Sequence, residues 1–312
     1  RALHLSSSSR HYITRVNARY PLRVNLPHDP LWPRAASLFT HPADQGSDLT
    51  LVGVPANQTS LSPTSAHLTP AAIRQALLRY SLAHSDSKVN LSRLKLSDSG
   101  DVTSPDIDES KTITELAAIA QNHRLLVAMG GDNSITYSVA KAVAATGLIT
   151  FDAHHDLRDG VSNGSPVRRI IEAGLAGKNV VQIGIADFSN STEYADRARD
   201  LGITVIHRSA LRNASLKQVW ERAVKIAGSR IHVDFDMDIC DRSVVPACPA
   251  AAPGGISADE LRQFAFLVGA SNEVVSVDIT EIDAAQDSTD ERTIRLAALV
   301  ALEITAGLST RI

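Results

Sequence analysis

Leu148-Ile149-Thr150-Phe151-Asp152-Ala153-His154-His155-Asp156-Leu157-Arg158 passes from an apolar, β-branched run straight into acids and histidines. Four or five apolar residues are enough for a strand and too few for a helix. Continuous rather than alternating apolar character marks a strand covered on both faces, as in a parallel sheet. Similar short runs recur at Leu49–Val54, Leu125–Met129, Val180–Ile185, Ile203–Ile206, Ile231–Phe235 and Val274–Val277. Between them the spacing predicts helices at Pro70–Tyr80, Ile113–His123, Ser134–Ala144, Leu216–Ala227, Ala258–Val268 and Arg292–Ala306. Strands alternating with helices predict an α/β fold: a doubly wound, mostly parallel sheet with helices on both faces. This single domain takes residues 46–312, behind an irregular N-terminal segment at residues 1–45. In open sheets of this kind, chemistry gathers at the carboxyl ends of the strands.

The 312 residues are 44% apolar and 21% charged, an ordinary balance for a folded chain. Lys+Arg total 31 against Asp+Glu 34, so no basic excess is available to neutralise nucleic-acid phosphates. Aromatic residues, at 4%, are too few for base-stacking platforms. The apolar run Leu296–Leu302 stops at Glu303, short of the roughly 18 residues of a membrane span, so no membrane is expected as a partner. Cys240 and Cys248 are too few for a disulfide scaffold or a four-thiolate zinc site, and they suit a reducing, cytoplasmic setting. Residues 1–28 carry no acid but include Arg1, Arg10, Arg15, Arg19, Arg23 and a Ser6–Ser9 run. That composition reads as a leader or a tag, and a transit peptide would make the protein organellar.

A second acidic cluster closes the Ile231–Phe235 run: Asp234-Phe235-Asp236-Met237-Asp238. In extended backbone, residues two apart share a face. Asp152, His154 and Asp156 should therefore point together, and so should Asp234, Asp236 and Asp238. Such crowded carboxylates need a cation, and the charges of Asp152, Asp156, Asp236 and Asp238 balance those of two divalent ions. Oxygen ligands with one imidazole favour Mn²⁺ or Mg²⁺ over structural zinc. Asp234 lies deeper and reads as support for the ligands. His155 should face away from them, and His232 reads as a core histidine or as support behind the ligands.

Two more strand ends complete a pattern: Met129-Gly130-Gly131-Asp132-Asn133-Ser134 and Val277-Asp278-Ile279-Thr280-Glu281. Each is weak alone. Together the four segments, with Ala252-Pro253-Gly254-Gly255, resemble the ureohydrolase superfamily of arginases, agmatinases and formimidoylglutamases from about residue 48 onward. The resemblance implies the arginase-like three-layer fold, a homo-oligomer such as a trimer or hexamer, and two manganese ions per subunit. It implies that Asp152 and Asp236 bridge the ions, that His154 and Asp238 complete one shell, and that Asp156 joins the other. Asn133 stands where the family usually has a histidine ligand. An amide oxygen is the weaker ligand, so one ion should bind less tightly. A metal-deficient, non-catalytic homologue is therefore a competing reading.

The resemblance also implies hydrolysis of a carbon–nitrogen bond in a small linear amidine or guanidino compound. Asp156, or a solvent route, would move a proton, and Glu281 would hold the cationic nitrogens of the substrate. Arginases carry a histidine where this chain has Asn163, and an amide cannot shuttle protons. Asp-Ala-His-x-Asp-Leu-Arg followed by a Gly-Ser-Pro turn is most similar to formimidoylglutamases, whose substrate carries two carboxylates. Arg158, Asn163, Ser165, Arg168 and Glu281 are accordingly expected to bind substrate, while Arg169 reads as a surface cation. Agmatinase or another guanidino-acid hydrolase is the alternative.

Overall fold

A computed structural model describes residues 29–86 and 89–311. The leader reading of residues 1–28 lies outside the described residues. Eight strands form in chain order: β1 (Ser47–Val54), β2 (Leu96–Asp101), β3 (His123–Gly130), β4 (Gly147–Phe151), β5 (Val180–Ile185), β6 (Thr204–His207), β7 (Ile231–Asp236) and β8 (Val274–Thr280). They make one sheet in the order β2-β1-β3-β8-β7-β4-β5-β6, parallel at every pairing. The helices are α1 (Thr69–Leu77), α2 (Glu109–Ala120), α3 (Ile135–Ala142), α4 (Pro166–Glu172), α5 (Thr192–Asp200), α6 (Arg208–Leu211), α7 (Leu216–Ala227), α8 (Ala258–Ala270) and α9 (Arg292–Leu308).

Strand parity sorts the side chains between two layers. Leu125, Val127, Met129, Ile149, Phe151, Val233, Phe235, Val277 and Ile279 join one buried cluster with residues of α1, α7, α8 and α9. Leu126 and Ala128 meet α2 and α3 on the opposite face, and Leu148 and Val180 meet α4 and α5 there. At the centre of the first layer, the Phe151 ring lies 4.7 Å from Phe235 and 4.8 Å from Phe264.

Where structure and expectation differ, the reason is local. β2, Leu-Ser-Asp-Ser-Gly-Asp, escapes the apolar-run test because it is an edge strand whose far end is exposed. α5 buries Ala198 alone, so it has no apolar stripe to read. Arg292–Arg311 corrects the statement about apolar runs: it is long and apolar enough to cross a membrane, because one acid does not spoil so long a window. It nevertheless packs against α8 and α1 with 72% of that window buried, as the core helix of a globular layer does.

The topology positions the chemistry. The chain builds β1 to β3, skips two places to lay β4, β5 and β6, then returns to insert β7 and β8 into the gap. β3, β8, β7 and β4 thus become neighbours, and all four acidic or Gly-rich segments emerge side by side from their carboxyl ends. Such a switch in strand order opens a crevice above the sheet. Register completes the convergence, with Phe151 opposite Phe235 and Asp236 opposite Thr280.

Phe151 fixes the end of β4 one residue before Asp152. Phe151→Ala should cost about 3–5 kcal/mol through the cavity it leaves among Phe235, Phe264 and Trp220. Urea unfolding followed by circular dichroism measures this, and a cost below about 1 kcal/mol would contradict the ring cluster as the anchor.

Candidate metal centre and active site

Asp152 leaves β4 immediately after Phe151, and Asp236 is the last residue of β7. Each folds its carboxylate back onto the backbone two residues on: Asp152 Oδ1 accepts from His154 N at 2.6 Å, and Asp236 Oδ1 accepts from Asp238 N at 2.9 Å. These turns bring the following side chain to the same point. His154 Nδ1 lies 2.6 Å from Asp238 Oδ2 and 3.5 Å from Asp152 Oδ1. Asp238 Oδ1 accepts from Ala153 N at 2.9 Å, tying the β7 turn to the β4 turn.

Two groups of ligating atoms result: Asp152, His154 and Asp238, and Asp152, Asp156 and Asp236, each with its atoms within 4.8 Å of one another. Asp152 is common to both. The expected alternation does not produce this. β4 ends at Phe151, and Asp156 reaches the centre through a left-handed turn with φ 52°. Such backbone is uncommon away from glycine and clusters at functional sites.

Electrostatics shows what the arrangement wants. Asp152 is pushed up to about 7, first by burial and then by the Asp238 charge. Burial, then Asp152, holds Asp156 well above its ordinary value, and burial, then Asp238, does the same to Asp236. Burial alone would lower His154, but the carboxylates of Asp238 and Asp152 outweigh it and push the imidazole up to about 12. Burial would raise Asp238 too, and the His154 charge overcomes it and lowers the group. Asp152 Oδ2 is buried with no hydrogen-bond partner. An oxygen-rich, proton-hungry cluster with an orphaned carboxylate oxygen fits divalent cations, which would replace the protons.

Asn133 follows Gly130 and Gly131, and the second glycine is required: a Cβ there would lie 2.2 Å from the Ala56 carbonyl oxygen. Asn133 Nδ2 donates to Asp156 Oδ2 at 2.5 Å, while Oδ1 accepts from Thr136 and Thr280 hydroxyls at 2.7 and 3.2 Å. The residue expected to ligate metal with its amide oxygen thus presents nitrogen to a ligand and steadies it. Its backbone N–H donates to Glu281 Oε1 at 2.7 Å, where Asn163 Nδ2 also donates at 2.9 Å. Glu281, at φ 64°, is pushed up to about 8 by burial and then by the charge of Asp132.

A cavity of about 350 Å³ opens above these groups, and His154, Asp156, Asp236, Asp238, Glu281, Asn163 and Arg158 line it. The Arg158 stem lies over Gly164, where a Cβ would come within 2.7 Å of its Cδ, and its guanidinium has no ion pair among the described residues. Two expected substrate contacts are corrected. Ser165 is fully buried and bonds to the Ser162 carbonyl at 2.8 Å, bracing the loop from below. Arg168 does not line the cavity; it braces the turn through the carbonyls of Arg158 and Gly160 and through Glu172. Arg169 is no free surface cation, since it pairs with Glu109 at 2.6 Å over the Tyr137 ring.

Ser60, Leu61, Asn190 and Tyr194 line the cavity without having been anticipated. Asn190 follows the β5 end and was open to the strand-end rule. The Ser60–Leu61 loop carries neither an acid nor a histidine that would mark it. His155 turns away to bond Gln182 at 2.7 Å, and His232 is buried against Ser276 at 2.8 Å, both as read. Asp234, also buried, accepts from Thr280 beneath the ligands at 3.3 Å.

Residues 47–307 match the model of the Arginase family. The formimidoylglutamase of Halalkalibacterium halodurans is 38% identical over 276 residues, covering 82% of this chain and 86% of the relative. The crystal structure of formimidoylglutamase from Bacillus subtilis superposes with a TM-score of 0.85 at 29% identity, over 95% of this chain and 98% of that one. Formiminoglutamase of Trypanosoma cruzi with Mn²⁺ gives a TM-score of 0.83 at 25% identity, over 90% and 100%.

The raised groups set a pH dependence for the metal-free protein. Asp152 keeps its proton up to about 7 when folded but loses it near 3.8 when unfolded, so stability falls as pH rises between those values. His154 acts in the same direction: its contribution is full below 6.5 and is lost on rising through about 12. Thermal midpoints should therefore drop from pH 5 to pH 8 in chelator, and Mn²⁺ should flatten that drop while releasing protons. A pH profile that Mn²⁺ leaves unchanged would contradict the site.

Proposed function

Because the chain belongs to the arginase family, we propose that it hydrolyses N-formimidoyl-L-glutamate to L-glutamate and formamide, using two Mn²⁺ ions per subunit. The observation that carries this reading is the Asp152-centred double ligand group opening into one cavity with Glu281 and with an Arg158 that has no ion pair among the described residues. Asp152, His154, Asp156, Asp236 and Asp238 would hold the ions, with Asn133 steadying Asp156. When bound, such a pair supplies a water activated at neutral pH.

The chain's own groups do the rest. Glu281, deep in the cavity, accepts hydrogen bonds from the terminal nitrogen of the formimidoyl group and stabilises its positive charge. Arg158 takes a substrate carboxylate through its planar fork, which sets the distance from the scissile bond. Water adds its oxygen to the formimidoyl carbon, the bond to the glutamate nitrogen breaks, and that nitrogen leaves as an amine after taking a proton. Asp156, itself one of the ligands and held by Asn133, is placed to carry it; Asn163, which lines the same cavity, has no titratable proton to give.

A decarboxylated guanidino substrate such as agmatine offers Arg158 only a repelling cation, which disfavours the agmatinase alternative. We read the enzyme as a cytoplasmic homo-oligomer, trimer or hexamer. The free, buried thiols of Cys240 and Cys248 support a reducing setting.

Steady-state hydrolysis by Mn²⁺-loaded protein across formimidoylglutamate, arginine, agmatine and guanidinobutyrate tests the reading. Formimidoylglutamate should be preferred, and preference for another compound would overturn the assignment while leaving the metal chemistry. Asp152→Ala and Asp236→Ala should each abolish turnover. Arg158→Ala should raise KM for formimidoylglutamate about tenfold to a hundredfold, the range expected for a lost charge-assisted pair, and leave a carboxylate-free amidine unaffected.

A further inference from the structure

Glu281 does not meet the cavity with both oxygens free. Oε1 accepts from Asn133 N at 2.7 Å and from Asn163 Nδ2 at 2.9 Å, which fills its two lone-pair directions. Oε2 has no hydrogen-bond partner among the described residues, and Glu281 lines the cavity. The Asn163 amide is oriented by chemistry. Its Oδ1 faces the Leu61 backbone N–H at 3.0 Å, and an N–H can only donate, so the nitrogen must turn toward Glu281. The Asn163 backbone N–H also bonds Thr59 O at 3.3 Å, so the residue is pinned on both sides to the loop that forms the cavity wall.

We propose that Asn163 is a specificity-determining residue: by occupying Glu281 Oε1 it leaves one oxygen, which matches the single terminal nitrogen of a formimidoyl group and disfavours a guanidinium. A guanidinium presents two terminal nitrogens as a fork that matches both oxygens of a carboxylate. Its substituted nitrogen is the leaving group and is turned toward the proton source, so only the terminal nitrogens are available to Glu281. With Oε1 filled, one terminal NH₂ of a guanidinium is buried without an acceptor, and a site that strands a polar group discriminates strongly against that substrate. A formimidoyl group, with hydrogen in place of the second NH₂, strands nothing.

The inference rests on the amidine-hydrolase reading, and its test separates the two. N-formimidoyl-L-glutamate and N-amidino-L-glutamate carry the same carboxylates and differ only in that hydrogen and NH₂. Their kcat and KM are measured with Mn²⁺-loaded wild type, Asn163→Ala and Asn163→Leu, the last keeping the shape of the side chain without its donor. The ratio of kcat/KM for formimidoyl over amidino substrate should fall about tenfold or more in both variants, chiefly through a lower KM for the amidino compound. A ratio unchanged within twofold, or equal losses on both substrates, overturns the proposal. Calorimetric binding of N-methylformamidinium and N-methylguanidinium to the same three proteins gives a readout independent of turnover. If wild type fails to hydrolyse formimidoylglutamate, the functional reading falls, and the shift in that binding ratio still decides the role of Asn163: a shift toward methylguanidinium supports it, and no shift overturns it.

Discussion

Like charges held together out of water are the constraint on which this molecule turns. Asp152, Asp156, Asp236 and Asp238 are buried at adjoining strand ends, with Asp234 and Asp278 buried just beneath them in the sheet. Without a cation, burial and mutual repulsion oppose ionising these groups together, which raises Asp152, Asp156, Asp234 and Asp236, while His154 keeps Asp238 low. Folding around such a cluster makes sense when a pair of divalent cations belongs to the folded state, because the binding free energy is then also folding free energy.

The surrounding architecture follows from holding that cluster rigid. Inserting β7 and β8 between β3 and β4 lets four separate chain segments deliver their ends to one crevice. The Phe151, Phe235 and Phe264 rings pack directly behind the first ligands, so Asp152 and Asp236 are extensions of the core rather than loop residues. The strained backbone at Asp156 and Glu281 is held by a network through Asn133, Asn163 and the Ser60–Leu61 loop.

How much of this is legible in the chain itself depends on where each residue's cause lies. Parallel central strands announce themselves because burial on both faces forces apolar runs, and Val180–Ile185 is bounded by its sequence alone. The edge strand β2 and the polar helix α5 do not, since solvent tolerates nearly any residue there. Asp152, His154, Asp236 and Asp238 are readable because strand ends carry them. That Asp156 arrives through a left-handed turn, that Asn133 offers nitrogen to it, and that Ser165 and Arg168 brace a loop are set by the folded backbone. Asn133 meets Asp156 only across the fold, whereas Ser165 and Arg168 are held by Ser162 and Glu172, three and four residues away, in a turn whose conformation composition does not specify. Arg168 shows the limit most plainly: its spacing from the metal motif is right for a substrate clamp, and the carbonyls of the intervening turn claim it first.

The most direct test of the central claim is a count of the cations and their separation. Chelated protein titrated with Mn²⁺ and followed by electron paramagnetic resonance should take up two ions per chain and show a spin-coupled pair, as expected for ions about 3.5–4 Å apart. A single uncoupled Mn²⁺ per chain at saturation would contradict the account, because one ion leaves the shared Asp152 with nothing to bridge.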